Sequence, residues 1–301
     1  MKNGMTSDTT IFVTYPIVGA IQQMEEFLRD KSPVKNWEWS DETQKDFMEE
    51  FYSICRGELG SIPEIECIAH IDSRVINKWL EHHGFDIELN PFGPGGFGTA
   101  SKLDLTGYWK RTGTSTTIYL DSNEQYPGVK MLSGYELFKH KNHSDLVVKV
   151  HTEGNDEVYF MMVDEVPTGH SMIDLTLKIQ SEKEKVYEEY SGLIFPMVDL
   201  DLQGSLDWII GLKAMVESGN IPYYEIAQAL QQTKLKMNHK GFRIKSAVAM
   251  GILAGAAPKK QEPYIINRPF LMWVSRPTLK KPLFVGYLNK DVWKNPDGLD
   301  M

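Results

Sequence analysis

Cysteine is nearly missing from this chain: Cys55 and Cys67 are the two in 301 residues. Thiols so few, at no metal-ligand spacing, exclude a disulfide framework and a cysteine-based zinc cluster, and leave open one bridge between them. Long apolar runs are missing too. No stretch approaches the ~20 consecutive apolar residues that cross a bilayer, so no membrane partner is expected. The first residues, Met1-Lys2-Asn3-Gly4-Met5-Thr6-Ser7-Asp8, turn apolar only at Ile11-Phe12-Val13 and lack the long apolar core of a signal peptide. A cytoplasmic protein is the expectation. Positive charge is scarce as well: 32 Lys and Arg against 41 Asp and Glu leave a net charge of −9, which opposes nucleic acid as a partner because phosphate binding needs a positive field. What is present is an ordinary globular mix, 42% hydrophobic and 24% charged, which excludes intrinsic disorder and collagen-like chains and supplies a sizeable core.

Apolar residues recur at helical spacing over 16–29 (Ile17, Ala20, Ile21, Met24, Phe27, Leu28) and over 41–55 (Phe47, Phe51, Ile54), which predicts two amphipathic helices. Asp72-Ser73 can cap a third, running through Val75 to Glu81 and ending near Gly84. From 102 to 164 the period changes to alternation rich in β-branched and aromatic residues, with strands expected at 116–120, 146–150 and 158–163. A charged helix is expected over 179–189, a strand over 192–198, a helix over 205–217, and strands over 234–244, 269–274 and 282–288. Length alone favours about two domains, and helices first with long strands after describe an α+β domain.

Few motifs carry chemistry. Gly93-Pro94-Gly95-Gly96-Phe97-Gly98 matches the spacing of phosphate-cradling loops, and an enzyme with a phosphate-bearing ligand there is the reading it would support. No amphipathic helix follows it, and no kinase motif stands downstream, so a permissive connector is the better reading. His82-His83 and His140-Lys141-Asn142-His143 lack carboxylates at a spacing that would put metal ligands on one helix face, and read as surface histidines. No G-x-S-x-G elbow occurs. No catalytic group, metal site or cofactor is assigned. Residues 231–260 hold Lys234, Lys236, Lys240, Arg243, Lys245, Lys259 and Lys260 without one Asp or Glu. Inside that stretch, 246–257 is uncharged and built mostly of small residues, either a buried helix or a mobile loop able to enter a sheet.

The order of segments resembles the serpin family. Arg268-Pro269-Phe270-Leu271-Met272-Trp273-Val274, then Pro282-Leu283-Phe284-Val285-Gly286-Tyr287 and Asn295-Pro296, is similar to that family's C-terminal signature. Asn238-His239-Lys240 before a small-residue stretch resembles the strand that leads into its reactive-centre loop. Thr106-Gly107-Tyr108-Trp109-Lys110, Val129-Lys130-Met131, Val75-Ile76-Asn77-Lys78-Trp79-Leu80 and Phe12-Val13-Thr14-Tyr15-Pro16 resemble further family fragments in the family's order. The resemblance implies a single domain over 1–301, with a shortened helical region over 1–98 and a sheet-rich body over 99–301, and an α+β, multi-sheet fold of three β-sheets with flanking helices and an exposed reactive loop near the C-terminus, here 245–266. It implies no enzyme but a peptidase inhibitor, a suicide substrate whose cleaved loop inserts into the main sheet. It also admits a non-inhibitory binding protein that has lost insertion. Counting back from Arg268 puts the reactive bond at Pro258, Lys259 and Lys260, which suits a trypsin-like protease as partner. The proximal hinge falls on Lys245, Ser246, Ala247, Val248 and Ala249, and the shutter positions on Ser101 and His239.

The chain departs from the family pattern in three ways. It is shorter, mainly in the N-terminal half, and so resembles reduced viral members such as those of poxviruses, for which the host-cell cytoplasm would be the location. Ser101 stands where the family has Asn. The acidic-Gly-Thr step before the hinge alanines is absent, because Phe242-Arg243-Ile244-Lys245 leads directly into Ser246-Ala247. If 246–257 inserts as a strand, Ala247, Ala249 and Gly251 share one side and Ser246, Val248 and Met250 the other. Lys245 would then be buried at the mouth, and an unpaired buried ammonium costs several kcal/mol. Cleavage mainly as a plain substrate by trypsin-like proteases, with little covalent complex, is expected, and Lys245→Thr is expected to raise that complex.

Overall fold

The computed structural model describes residues 4–187, 190–217, 221–243, 262–296 and 298–299. The expected hinge residues Lys245, Ser246, Ala247, Val248 and Ala249 and the expected reactive bond at Pro258, Lys259 and Lys260 lie outside the described residues.

The N-terminal helices form where the periodicity puts them. Helix α1 (Thr14–Leu28) buries Ile17, Val18, Ile21, Met24 and Leu28 along one face, and Pro16 sits in its first turn, where no backbone donor is needed. Helix α2 (Glu42–Phe47) is capped by Asp41, whose carboxylate accepts from the Gln44 amide at 3.0 Å. A π-turn over Met48–Tyr52 carries it into α3 (Ser53–Cys55) and keeps Phe47, Phe51 and Cys55 fully buried. Helix α4 (Ser73–His82) starts on Asp72, which accepts from the Arg74 amide at 3.0 Å. It stops at Gly84, whose φ of +80° is open to a residue without a Cβ.

The body is sheet. A seven-stranded antiparallel sheet runs β13 (Lys183–Lys185), β9 (Tyr135–His140), β10 (His143–His151), β11 (Glu157–Met162), β21 (Phe270–Ser275), β22 (Phe284–Leu288) and β2 (Thr10–Phe12). Every residue of β21 and β22 is buried, the mark of strands covered on both faces. A four-stranded sheet orders β20 (Tyr264–Ile265), β14 (Leu193–Pro196), β8 (Gln125–Met131) and β7 (Thr114–Tyr119), with β14 and β20 parallel. A second four-stranded sheet orders β15 (Val198–Ser205), β18 (Leu230–Met237), β19 (Gly241–Arg243) and β6 (Thr106–Tyr108). Smaller sheets pair β4 (Ile65–His70) with β5 (Gly98–Leu103), β1 (Met5–Thr6) with β12 (Val166–Pro167), and β16 (Lys213–Val216) with β17 (Tyr223–Glu225) and β3 (Val34–Glu38). The α+β class with several sheets is as the sequence predicts.

Three elements differ from expectation. The helix expected over 205–217 is a short 3-10 turn (Asp207–Ile209) followed by β16. Leu206, Ile209 and Leu212 have helical spacing, but Gly211 at φ +89° reverses the chain and Ala214 pairs with Trp37 and Tyr224, so tertiary pairing overrides local pattern. The charged helix is α5 (Ser171–Glu182), which begins earlier and ends where Lys183–Lys185 joins the edge of the seven-stranded sheet. The single strand expected over 234–244 is a hairpin, β18 and β19, reversing through Asn238-His239-Lys240.

Candidate functional site

That reversal builds the site. The Asn238 amide donates to Gly241 O at 2.9 Å, and its side-chain oxygen accepts from the Lys240 amide at 2.9 Å. Its carbonyl accepts from Trp109 Nε1 at 2.9 Å. Asn and Gly at the first and fourth positions are the turn signal that the sequence carries here. Beyond the turn, β19 wedges between β18 and β6, antiparallel to both: Phe242 faces Met237 on one side and Gly107 on the other, and Arg243 faces Lys236 and Thr106. Glycine is required at both 107 and 241, because a Cβ on Gly107 would overlap the Phe242 ring and one on Gly241 would overlap the Gly107 carbonyl. Phe242 is fully buried, its ring 5.5 Å from that of Trp109, which is only 1% exposed. The first residue of this stretch carried into the sheet with a full charge is Arg243, 3% exposed.

Below Arg243 the described strands leave an interval. β15 pairs one edge of β18 along its whole length, and β4 does the same for β5. No described strand pairs the opposite edge of β18 over 230–235, nor the second edge of β5, which runs on into β6 after two residues. A cavity of about 570 Å³ occupies the interval. Ile17, Ile21 and Met24 of α1 line one side, and Phe85, Leu89 and Phe92 from the chain after α4 line another. Two strand edges that no described strand pairs, beside a largely apolar cavity, are the chemistry that receives an extended peptide.

The two shutter positions are not brought together. Ser101 lies on β5 above α1, its Oγ accepting from Cys67 Sγ at 3.4 Å. Both side chains abut Gly19, where a Cβ would stand 2.8 Å from Ser101 Oγ. His239 is in the β18–β19 turn, its Nδ1 3.3 Å from Ser115 Oγ on β7. About 25 Å of extended chain separates Ser101 from Trp109, the neighbour of that turn, at ~3.3 Å per residue. Burial, with Lys240 nearby, lowers the His239 pKa.

The remaining motifs have structural roles. Cys55 and Cys67 are free thiols, and burial, aided by the Glu58 charge, pushes Cys55 up to about 11. The glycine-rich connector runs into β5 rather than a helix, and its Phe97 stacks on Phe27 with centroids 4.5 Å apart. His140 is buried, not on the surface, with Nε2 3.5 Å from Glu182 Oε2. Among the described residues no group of three His, Cys, Asp or Glu is placed to hold a metal ion, and no helix is long and apolar enough to cross a membrane.

No protein-family profile matches the chain, and no curated protein is similar to it in sequence. Solved structures are similar over nearly the whole length. Human glycosylated kallistatin matches with a TM-score of 0.57 at 12% identity, over 94% of this chain and 91% of that one. SRPN18 from Anopheles gambiae matches at 0.58 and 11%, over 97% and 94%. Human thyroxine-binding globulin complexed with thyroxine matches at 0.52 and 12%, over 93% and 91%. All three are serpins. The order of strands, the buried C-terminal pair β21–β22 and these likenesses agree: the chain has the serpin fold.

Proposed function

We propose that this protein is a serpin-like peptidase inhibitor that acts as a suicide substrate, with the loop following β19 as bait and the interval between β18 and β5 as the place it enters. One observation carries the reading: β19 already occupies the first rungs of that interval, antiparallel to both flanking strands. Continuing its register sets Ile244 opposite Leu235 on the core side. Lys245 then falls opposite Lys234 on the outer side, beside Asp104 of the other edge, and Ser246 through Ala249 fill the rungs down to Leu230. Lys234 lies 2.9 Å from Asp86 and 3.1 Å from Asp201. On that outer side the Lys245 ammonium would meet solvent and Asp104, with the like-charged Lys234 opposite, rather than the buried mouth that the sequence reading assigns to it. The side chains directed inward, Ile244, Ser246 and Val248, suit burial. Cleavage at Pro258-Lys259-Lys260 by a trypsin-like protease would free the loop to continue.

A second reading, a binding protein on this fold that has lost insertion, is favoured by the chain over 85–92, which lies across the interval. Incubation with a panel of trypsin-like proteases separates the two on a denaturing gel. A covalent complex of protease and protein supports the inhibitor. Complete cleavage within 251–264 with no complex, and no thermal stabilisation of the cleaved form, refutes it.

A further inference from the structure

β7 closes one side of its four-stranded sheet, and no described strand pairs its outer edge. The phase of its ladder fixes which backbone groups face outward. Thr117 stands opposite Pro127, which has no N–H and whose carbonyl accepts instead from the Met197 amide at 2.9 Å. Thr114, Thr116 and Ile118 therefore bond to β8, and Ser115, Thr117 and Tyr119 direct their N–H and C=O groups away from it. Natural edges carry charge, proline or a bulge that discourages a second strand. The described edge strands of more than three residues are β3, β4, β5, β7 and β15, and β7, Thr-Ser-Thr-Thr-Ile-Tyr, is the one without a charged side chain. Its β-branched and aromatic residues favour extended backbone, and Tyr119 is 71% exposed.

We propose that β7 is the contact between two copies of this chain, paired antiparallel about a two-fold axis at Thr117. In that register Ser115 of one copy faces Tyr119 of the other, each exchanging both backbone bonds, and Thr117 faces Thr117. No like charges meet along the strand. The ends favour the same arrangement. At the start of β7 the Gly113 amide donates to His239 O at 2.8 Å, so the Asn238-His239-Lys240 turn stands at that end of the edge. Arg111 and Lys240 are exposed there, and Asp121 is exposed just past the other end. None of the three has an ion pair among the described residues. The two-fold axis brings Asp121 of each copy to the Lys240 turn of the other, whereas a parallel pairing would set like ends together. A two-fold contact uses both edges, so growth stops at two. The strand contact over 115–119 is small beside the ~20–30 residues a side of a standard interface, so the dimer is concentration-dependent.

This pairing does not rest on the inhibitor reading. Sedimentation equilibrium of the full chain at low salt should show a mass that rises with concentration from 34.4 kDa toward twice that value, and that falls back as salt is added. Thr117→Lys sets two ammonium groups together at the axis and should leave only monomer. Asp121→Lys should weaken association about tenfold, and Asp121→Lys/Lys240→Asp, which exchanges the ends, should recover it. All three positions are exposed, and melting temperatures equal to that of the parent chain show that each variant is folded. A monomer at every concentration overturns the proposal, as does a dimer that Thr117→Lys leaves intact. Failure of the exchanged ends to recover association overturns the antiparallel pairing about Thr117. Species larger than two overturn it as well, because the edge would then be taking a different segment of its neighbour.

Discussion

β21 and β18 are both central strands, yet they are held in opposite ways. β21 is paired on both edges, by β11 over all six residues and by β22 over Phe270 to Val274, with all six residues buried. Its Trp273 stacks on Tyr159 at 5.0 Å, and just past its end Arg276 bridges Asp156 and Glu64, each at 2.7 Å. β18 is paired throughout on one edge only, and on the other meets β19 at two residues. Its outward residues Gln232, Lys234 and Lys236 are polar. A strand paired on both edges has no capacity for a further partner, whereas β18 over 230–235 and β5 each have one edge that no described strand pairs. On the proposed reading, stability and strand uptake fall to different sheets of one body.

Adding a strand is the sharpest test of that contrast. Cleavage within 251–264 should raise the melting temperature by roughly 10 °C or more if the interval fills, because β18 and β5 then gain the second partner that β21 already has. Differential scanning calorimetry of the intact and cleaved forms reads this, and identical transitions would erase the distinction. Next in size, Trp273→Ala should cost about 3–5 kcal/mol in urea unfolding, as expected for a large fully buried side chain, whereas Leu230→Ala, on the half-open strand and 45% exposed, should cost under about 1 kcal/mol. Gly241→Ala should cost about 1–3 kcal/mol by forcing β19 off β6, and should quicken amide exchange in β18 rather than in β21.

Acidification is a weaker lever. Burial lowers the His170 pKa, so the imidazole is neutral when folded. A depressed pKa contributes stability above the unfolded value and loses it as pH falls, so His170 should weaken the fold from about pH 6.5 downward. Burial pushes the Glu64 carboxyl up, but hydrogen bonds from Arg276 outweigh it and hold the group below the usual range. Its contribution survives to lower pH and is lost only below about pH 4.5. Stability measured against pH should fall in that order, and His170→Gln should remove the earlier loss. Smallest of all, Lys245→Thr should change the yield of covalent complex by less than about twofold, given the solvent and the Asp104 carboxylate that Lys245 would face. A large gain would return the lysine to the buried mouth.

Of the seven-stranded sheet, β10, β11, β21 and β22 were legible because contiguous apolar runs such as Phe270-Leu271-Met272-Trp273-Val274 have one stable destination, a strand covered on both faces, whereas the charged edge strand β13 lay inside an expected helix. Helices α1, α2 and α4 were legible because spacing and a capping aspartate agree locally. Ser101 and His239 illustrate the limit. Each was identifiable as a residue type at a marked position, but their separation depends on where the chain turns. That turn rests on Asn238 and Gly241, a weak local preference which becomes decisive only against Trp109 and Gly107.

By itself, then, the sequence determined the fold class, the N-terminal helices and the buried C-terminal strand pair, since each follows from periodicity and burial within a short window. Only the tertiary structure decided that the chain after β18 turns back into the sheet, that no described strand pairs the facing edges of β18 over 230–235 and of β5, and that a segment held by Asn77, Gln228 and Gln232 lies across the gap. Those features are made by partners more than a hundred residues apart in sequence for β19 and for the Gln228 and Gln232 grips. Hydrogen bonds of that range leave no periodic trace in either segment alone.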